Sequence, residues 1–151
     1  MRLVVAAETP RQPEVAALLA LSDTIAAALY PGEPRRALNQ ETLDAPGIHL
    51  LVARQHGVAA GCCALFEGPE GTAELKRMVV EPSHQGQGVG RALLEAAEGL
   101  ARGLGVTRMQ LEVGIRNTAG EALYRRAGYR DRAPFGGYRA SPISRFLEKT
   151  L

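Results

Sequence analysis

The sequence predicts an α/β fold with a mixed, mostly antiparallel sheet flanked by helices. Apolar segments with strand and helix periods follow each other in the order β, α, α, β, β, β, α, β, α, β, β. Two apolar runs joined by a three-residue turn indicate a β-hairpin in the middle of the chain. A strand, a glycine-rich loop and an amphipathic helix follow the hairpin, and together with the next strand they indicate a βαβ unit.

Length and composition favour one folded domain over residues 1–151. The chain is 46% hydrophobic and 23% charged, close to the average globular protein, and it shows no linker, repeat or low-complexity tract. The apolar run Val15 to Leu21 is too short to cross a bilayer, and Leu3 to Ala7 is too short for the apolar part of a signal peptide. We therefore expect a cytoplasmic protein with no membrane partner.

The N-terminal third is predicted to hold one strand and two helices. Leu3 to Ala7 reads as a strand, and residues from about Glu14 to Leu29 carry apolar side chains at helical spacing. Asn39 can cap a short second helix that reaches Leu43. The segment from Tyr30 to Leu38, which holds two prolines and a glycine, ends the first helix and is a candidate lid over a binding site.

The middle of the chain is predicted to hold three strands and one helix. Ile48 to Arg54 and Val58 to Phe66 form the hairpin, and Ala73 to Val80 is the next strand. A helix starts near Gly88 and ends at Gly103 and Gly105. Its predicted apolar face consists of Val89, Leu93, Ala96, Ala97, Leu100 and Leu104.

The C-terminal part is predicted to close the sheet. Thr107 to Val113 alternates apolar and polar residues as a strand does, and a helix follows from about Thr118 to Ala127. Two short closing strands are expected, one near Tyr129 and one across Ile143 to Lys149.

The cysteines and histidines give no sign of a metal site. Cys62 and Cys63 are adjacent in an apolar strand, which predicts buried structural thiols rather than a disulfide framework. His49, His56 and His84 lack the spacing of metal ligands. We expect no metal cofactor.

Charge is distributed unevenly along the chain. Residues 1–75 carry 5 basic and 9 acidic side chains, whereas residues 76–151 carry 13 and 7. The basic half is therefore expected to hold any anionic ligand. Nucleic acid is disfavoured as a partner, since aromatic residues make up only 5% of the chain and Trp is absent.

The loop before the third predicted helix has the composition of a phosphate-binding loop. Gly86, Gly88 and Gly90 stand at alternate positions, where a backbone without side chains can approach a ligand closely. The helix that follows directs its free N–H groups and its positive dipole end at the same place. Such a loop suits a phosphate.

The glycine spacing disfavours two common nucleotide-binding motifs. A dinucleotide fingerprint would need glycine or alanine at Arg91 or Leu93, and a Walker loop would need Lys and then Ser or Thr after Gly90. The remaining pattern, Q-x-x-G-x-G, is filled by Gln85, Gly88 and Gly90. It resembles the acyl-CoA pyrophosphate loop of the GNAT superfamily of N-acetyltransferases.

A second signature supports this resemblance. The superfamily pattern N-x-x-A-x-x-L-Y-x-x-x-G-[FY] is matched by Asn117, Leu123, Tyr124, Gly128 and Tyr129. The one departure is Gly120, where the family has Ala, and it is expected to cost the helix roughly 1 kcal/mol. The specific motifs lie within residues 73–129, and the resemblance extends to the whole order of elements.

The resemblance implies an acyl-CoA N-acyltransferase (GNAT) fold and acetyl-CoA as cosubstrate. In the family the pantetheine arm lies beside the fourth strand, and the pyrophosphate sits on the glycine loop. Tyr124 is expected to lie near the CoA sulfur, and Asn117 is expected to contact the cosubstrate arm or to cap the helix that follows, two roles that are compatible. The other residues implied in binding acetyl-CoA are Met78, Val79, Val80, Gln85, Gly86, Gln87, Gly88, Val89, Gly90 and Arg91.

The implied reaction is direct attack of a neutral amine on the thioester, with a base for the amine and an acid for the thiolate. By family position Tyr124 is the candidate acid. Glu74, eleven residues before Gln85, and Glu112 on the next strand are rival bases. Both carboxylates could equally be structural partners of basic side chains, among them Lys76, Arg77 and Arg108.

The predicted function is N-acetyltransferase activity on a primary amine of a small molecule, with a homodimer as a common family assembly. The alternatives are a catalytically silent acyl-CoA-binding or regulatory module and a protein-lysine or N-terminal acetyltransferase. Four arginines are candidates for recognising a carboxylate on the acceptor: Arg35, Arg36, Arg116 and Arg139.

Overall fold

A seven-stranded sheet with helices on both faces forms the centre of the molecule. The structure is a computed structural model that describes residues 2–151. The order of elements is the predicted one, with an added 3-10 helix at Pro82–His84. The strands are β1 (Leu3–Ala7), β2 (Ile48–Gln55), β3 (Val58–Glu67), β4 (Thr72–Val80), β5 (Arg108–Gly114), β6 (Arg130–Arg132) and β7 (Ser144–Thr150). The helices are α1 (Pro13–Leu29), α2 (Gln40–Leu43), α3 (Val89–Gly103) and α4 (Thr118–Arg126).

The sheet is antiparallel at every pairing except one. Over residues 2–151 its strand order is β1-β2-β3-β4-β5-β7-β6, and within that range only β4 and β5 run parallel. Their pairing covers Thr72–Leu75 against Arg108–Leu111 and then stops. Beyond this point the two strands separate, so residues 76–80 of β4 offer a backbone edge without a strand partner. This opening in the sheet is the feature that positions the site.

Two apolar cores lie on opposite faces of the sheet. One packs α3 and α4 against residues such as Leu65, Leu75 and Leu111. The other packs α1 and α2 against residues such as Val52 and Cys62. The near-continuous apolar sequence of β3 follows from burial on both faces.

The buried face of α3 differs from the predicted one at its C-terminal end. Leu104 was expected in the core but is 41% exposed, because the helix ends at Gly103 and Leu104 serves as its C-cap. Glu98 is buried instead, where it accepts hydrogen bonds from Lys149 Nζ at 2.8 Å and from the Tyr129 hydroxyl at 3.0 Å. The ammonium group of Lys149 and the hydroxyl of Tyr129 replace the water that the carboxylate loses on burial.

Cys62 and Cys63 are buried, as expected, and burial raises the pKa of the Cys62 thiol to about 12. Over residues 2–151 no three His, Cys, Asp or Glu side chains come together as metal ligands. None of the helices in that range is both long and apolar enough to cross a membrane.

Candidate active site

A large cleft occupies the opening between β4 and β5. Its volume is about 2020 Å³, which exceeds the roughly 300–1,000 Å³ of a typical small-ligand pocket. The lining includes the glycine loop at one end and, toward the α1 face, Glu74 and Glu112. A cleft of this size has room for more than one small ligand.

The glycine loop offers a backbone surface suited to phosphate. Gly86 and Gly88 have φ of +77° and +81°, a region that favours glycine, and a Cβ at either position would meet no protein atom within 4 Å. Within residues 2–151 the N–H groups of both glycines donate to no acceptor. Gly88 is the N-cap of α3, so the free N–H groups of the first helical turn lie beside them. These features fit the pyrophosphate of an acyl-CoA.

Asn117 acts as the N-cap of α4. Its Oδ1 accepts a hydrogen bond from Gly120 N at 3.0 Å. A Cβ at position 120 would lie 2.5 Å from Asn117 Nδ2, so the amide occupies the space that an alanine would need. An alanine at position 120 would therefore require the Asn117 amide to shift. Asn117 also lines the cleft, where contact with a ligand stays a prediction.

Tyr124 projects from α4 to the wall of the cleft. It is 6% exposed, and its ring packs edge-on against Tyr129 with 5.9 Å between centroids. Burial raises the pKa of the Tyr124 hydroxyl well above its ordinary value. The hydroxyl consequently keeps its proton at neutral pH, as a proton donor must.

Glu74 lies on the opposite face of the sheet from the core that contains Tyr124. Its side chain is 18% exposed, and its Oε2 accepts a hydrogen bond from the Tyr138 hydroxyl at 2.5 Å. Lys76 Nζ lies 3.7 Å from the same oxygen. Burial raises the Glu74 pKa, Tyr138 and Lys76 lower it, and Glu112 raises it further. A carboxylate with a raised pKa is a stronger base than an exposed one.

Glu112 is more exposed than Glu74 and accepts a hydrogen bond from the Ser144 hydroxyl at 2.6 Å. The ion-pair alternatives are only partly realised. Lys76 pairs with Glu74, while Arg108 lies 3.9 Å from Glu148 instead of either candidate base. Both candidate bases line the cleft, and Glu74 has the more buried position.

Three other basic residues that line the cleft are paired with carboxylates. Arg91 pairs with Glu95 within α3 and is 79% exposed. Arg35 pairs with Asp23 at 2.7 Å. His84 lines the cleft but bonds to Glu81 at 3.0 Å.

Two further arginines proposed for carboxylate recognition have different positions. Arg116 donates to the Leu29 carbonyl at 2.6 Å, while its backbone N–H donates to the Tyr30 hydroxyl at 2.7 Å. These bonds connect the end of α1 to the end of β5. Arg139 is exposed and lies outside the cleft lining.

The sequence did not predict the contacts that three cleft residues make. Tyr138 reaches Glu74 from the loop between β6 and β7, and Tyr30 packs its ring against Gly114. Arg77, considered in the sequence only as an ion-pair partner, enters the cleft because it adopts a φ of 55°. Sequence periodicity does not predict a positive φ, nor a contact between residues 64 positions apart such as Tyr138 and Glu74. These contacts therefore depend on the tertiary structure.

Comparison with known proteins agrees with the geometry. The family model described as Acetyltransferase (GNAT) family matches residues 15–129. The chain is 41% identical over 150 residues to a protein named IAA acetyltransferase from Azospirillum brasilense, covering 99% of this chain and 98% of that one. It is 38% identical over 109 residues to N-alpha-acetyltransferase RimI of Mycobacterium tuberculosis, covering 68% and 66% of the two chains.

Solved structures share the whole fold. A Klebsiella pneumoniae protein, described as a candidate acyl-CoA N-acyltransferase, superposes with a TM-score of 0.84 at 34% identity, covering 99% of this chain and 97% of that one. The PaiA N-acetyltransferase of Thermoplasma acidophilum, solved in complex with coenzyme A, gives a TM-score of 0.78 at 18% identity with full coverage of both chains, 100% each.

Proposed function

Since the chain belongs to the GNAT acetyltransferase family and is an acyltransferase, we propose that it moves the acetyl group of acetyl-CoA to a primary amine of a small molecule. The amine attacks the thioester directly while both substrates are bound. The observation that carries this proposal is the opening between β4 and β5, which has a phosphate-binding loop at one end and two carboxylates toward the α1 face.

The free edge of β4 supports a binding mode for acetyl-CoA. Backbone groups of Met78, Val79 and Val80 pair with the amides of the pantetheine arm as an added strand would. Residues 85–91 hold the pyrophosphate through N–H groups at the start of α3. Asn117 contacts the arm from the N-terminus of α4, and Tyr124 lies near the sulfur.

The chemistry requires one base and one acid. Glu74 accepts the proton of the attacking amine, directly or through water, and the amine nitrogen forms a bond to the thioester carbon. The C–S bond breaks, and Tyr124 donates its proton to the departing thiolate. Glu112 is the rival base, and the greater burial and raised pKa of Glu74 favour Glu74.

Release of free CoA, followed with a thiol reagent, tests acetyl transfer. Purified protein and acetyl-CoA are challenged with amino acids, polyamines, aminoglycosides, arylamines and lysine peptides, together with IAA, which the name of the Azospirillum relative mentions. Release that depends on the added amine supports the proposal. CoA binding without release from any acceptor would favour a silent acyl-CoA-binding module.

Isosteric substitutions separate the two candidate bases. Glu74→Gln is expected to lower kcat by about 100-fold or more, the usual contribution of a general base. Glu112→Gln is the matched control, because it removes the same charge from the neighbouring strand, and a much smaller loss is expected. The reverse result would assign the base to Glu112.

N-terminal or lysine acetylation of proteins is a second candidate, favoured by the relative named N-alpha-acetyltransferase RimI. Peptides in the acceptor panel test it. A single domain over residues 1–151, a homodimer, and a cytoplasmic location stay predictions. Sedimentation of the purified protein tests the homodimer.

A further inference from the structure

The strand β4 contains a bulge that changes which way its residues face. The register with β3 shifts between Cys62 and Ala64, and at this point Arg77 adopts a φ of 55°. In a regular strand Leu75 and Val79 would face the same side. Instead, Leu75 packs in the core beneath α3 and Val79 in the core beneath α1. The bulge therefore reverses the alternation of the strand.

This reversal brings Arg77 onto the same face as Glu74 and Lys76. Arg77 Nη2 donates to the carbonyl of Arg36, in the segment that follows α1, at a distance of 2.5 Å. A left-handed conformation is costly for a residue other than glycine, and such strain is concentrated at functional sites. As a result, the consecutive cationic side chains of Lys76 and Arg77 lie on the face of β4 that carries Glu74.

The Arg77 guanidinium lacks a carboxylate partner. It is partly buried and lines the cleft, yet within residues 2–151 no Asp or Glu oxygen lies within 4.0 Å of it. Among the residues that the structure describes it makes a single hydrogen bond, to the Arg36 carbonyl, which uses one of the five donors of the group.

Charged groups of both signs surround Arg77, and within residues 2–151 none of the carboxylates bonds to it. Arg35 is a neighbouring cation, and Asp23, the closest acid on α1, is bonded to Arg35 at 2.7 Å. Glu112 and Tyr138 face Arg77 from β5 and from the loop before β7. Burial and the charge of Arg35 lower the Arg77 pKa, which means that the cation is poorly compensated there.

We propose that Arg77 binds a carboxylate of the acceptor, so that the substrate is an amino acid or a related small amine that carries a carboxylate. A guanidinium presents two parallel N–H donors that match the two oxygens of a carboxylate. With the carboxylate on Arg77, the amine of the same molecule lies toward Glu74, farther along the same face of β4. This inference rests on the proposed acetyltransferase function.

Matched pairs of acceptors test the proposal. Each amino acid is compared with the amine that lacks only its carboxylate: phenylalanine with phenethylamine, histidine with histamine, and lysine with cadaverine. Thermal stabilisation of the CoA-bound protein measures acceptor binding without turnover, and CoA release measures transfer. Stronger binding and faster transfer are expected for the carboxylate-bearing member of at least one pair.

Variants then assign the effect to Arg77. Arg77→Asn keeps a residue that tolerates a positive φ, and it is expected to weaken binding of the carboxylate acceptor by about 10- to 100-fold, the loss of one charged hydrogen-bonded contact. Arg77→Lys restores the charge without the parallel donors, so it recovers only part of the affinity. Arg139→Asn is the matched control, since it removes an equal charge from an exposed position outside the cleft.

The outcomes separate this inference from the proposed function. If Arg77→Asn leaves carboxylate binding unchanged, or weakens both members of each pair equally, Arg77 only ties the segment after α1 to β4 and the inference is wrong. If no carboxylate-bearing acceptor binds the CoA-bound protein, the inference is equally wrong. If acceptors bind through Arg77 but no CoA is ever released, the carboxylate site stands and the acetyl-transfer proposal fails.

Discussion

Gly88→Ala should lower the affinity for CoA through a steric effect on the ligand that is separate from its effect on folding stability. A methyl group at this position meets no protein atom within 4 Å, so packing does not oppose the change. The backbone has a φ of +81°, which costs a residue other than glycine about 1 to 2 kcal/mol. For a protein of this length that cost lowers Tm by about 2 to 8 °C.

The effect on the ligand has a separate cause. The added methyl group projects into the cleft, where it holds the phosphate away from the N–H groups at the start of α3. Loss of one hydrogen bond to a charged group costs about 1.5 to 3 kcal/mol, which corresponds to about 10- to 100-fold in affinity. The Kd of CoA and the KM of acetyl-CoA should both rise by this factor.

Gly105→Ala provides a matched control. Gly105 also has a φ of +81° and open space around its absent Cβ, but it lies in the turn after α3 and does not line the cleft. Calorimetric titration with CoA and thermal unfolding should therefore show similar losses of Tm in the two variants and a loss of affinity in Gly88→Ala alone. Equal CoA affinities in the two variants would refute the assignment of the glycine loop.

Three further predictions concern hydrogen bonds at and near the site. Tyr138→Phe removes a hydrogen bond that lowers the Glu74 pKa. The acidic limb of the pH profile of kcat/KM should therefore move to higher pH, and an unmoved limb would argue against Glu74 as the base. Tyr124→Phe should lower kcat by about 100-fold or more with little change in the Kd of CoA, and steady-state kinetics with calorimetry test this. Glu98→Gln should lower the free energy of unfolding by about 2 to 3 kcal/mol, because the buried partner of Lys149 loses its charge; urea denaturation measures it.

The order of elements and the phosphate-binding loop were predictable because both depend on local sequence. Alternation and helical periodicity describe one element at a time, and the predicted strands and helices agree with the structure to within one or two residues at most ends. The glycines at 86 and 88 have the positive φ that their residue type favours. Leu104 was misplaced because the helical period was extended past Gly103, where the helix ends and Leu104 becomes its exposed C-cap.

The sequence by itself determined the fold class, the glycine loop with the start of α3, and the placement of Asn117 just before α4 and of Tyr124 within it. The tertiary structure alone decided which side chains meet across the opening between β4 and β5. Tyr138 reaches Glu74 through a loop far along the chain, and Arg77 faces the acceptor side because a bulge reverses the alternation of β4. Contacts of this kind depend on strand register and chain reversal, which periodicity in a single sequence does not encode.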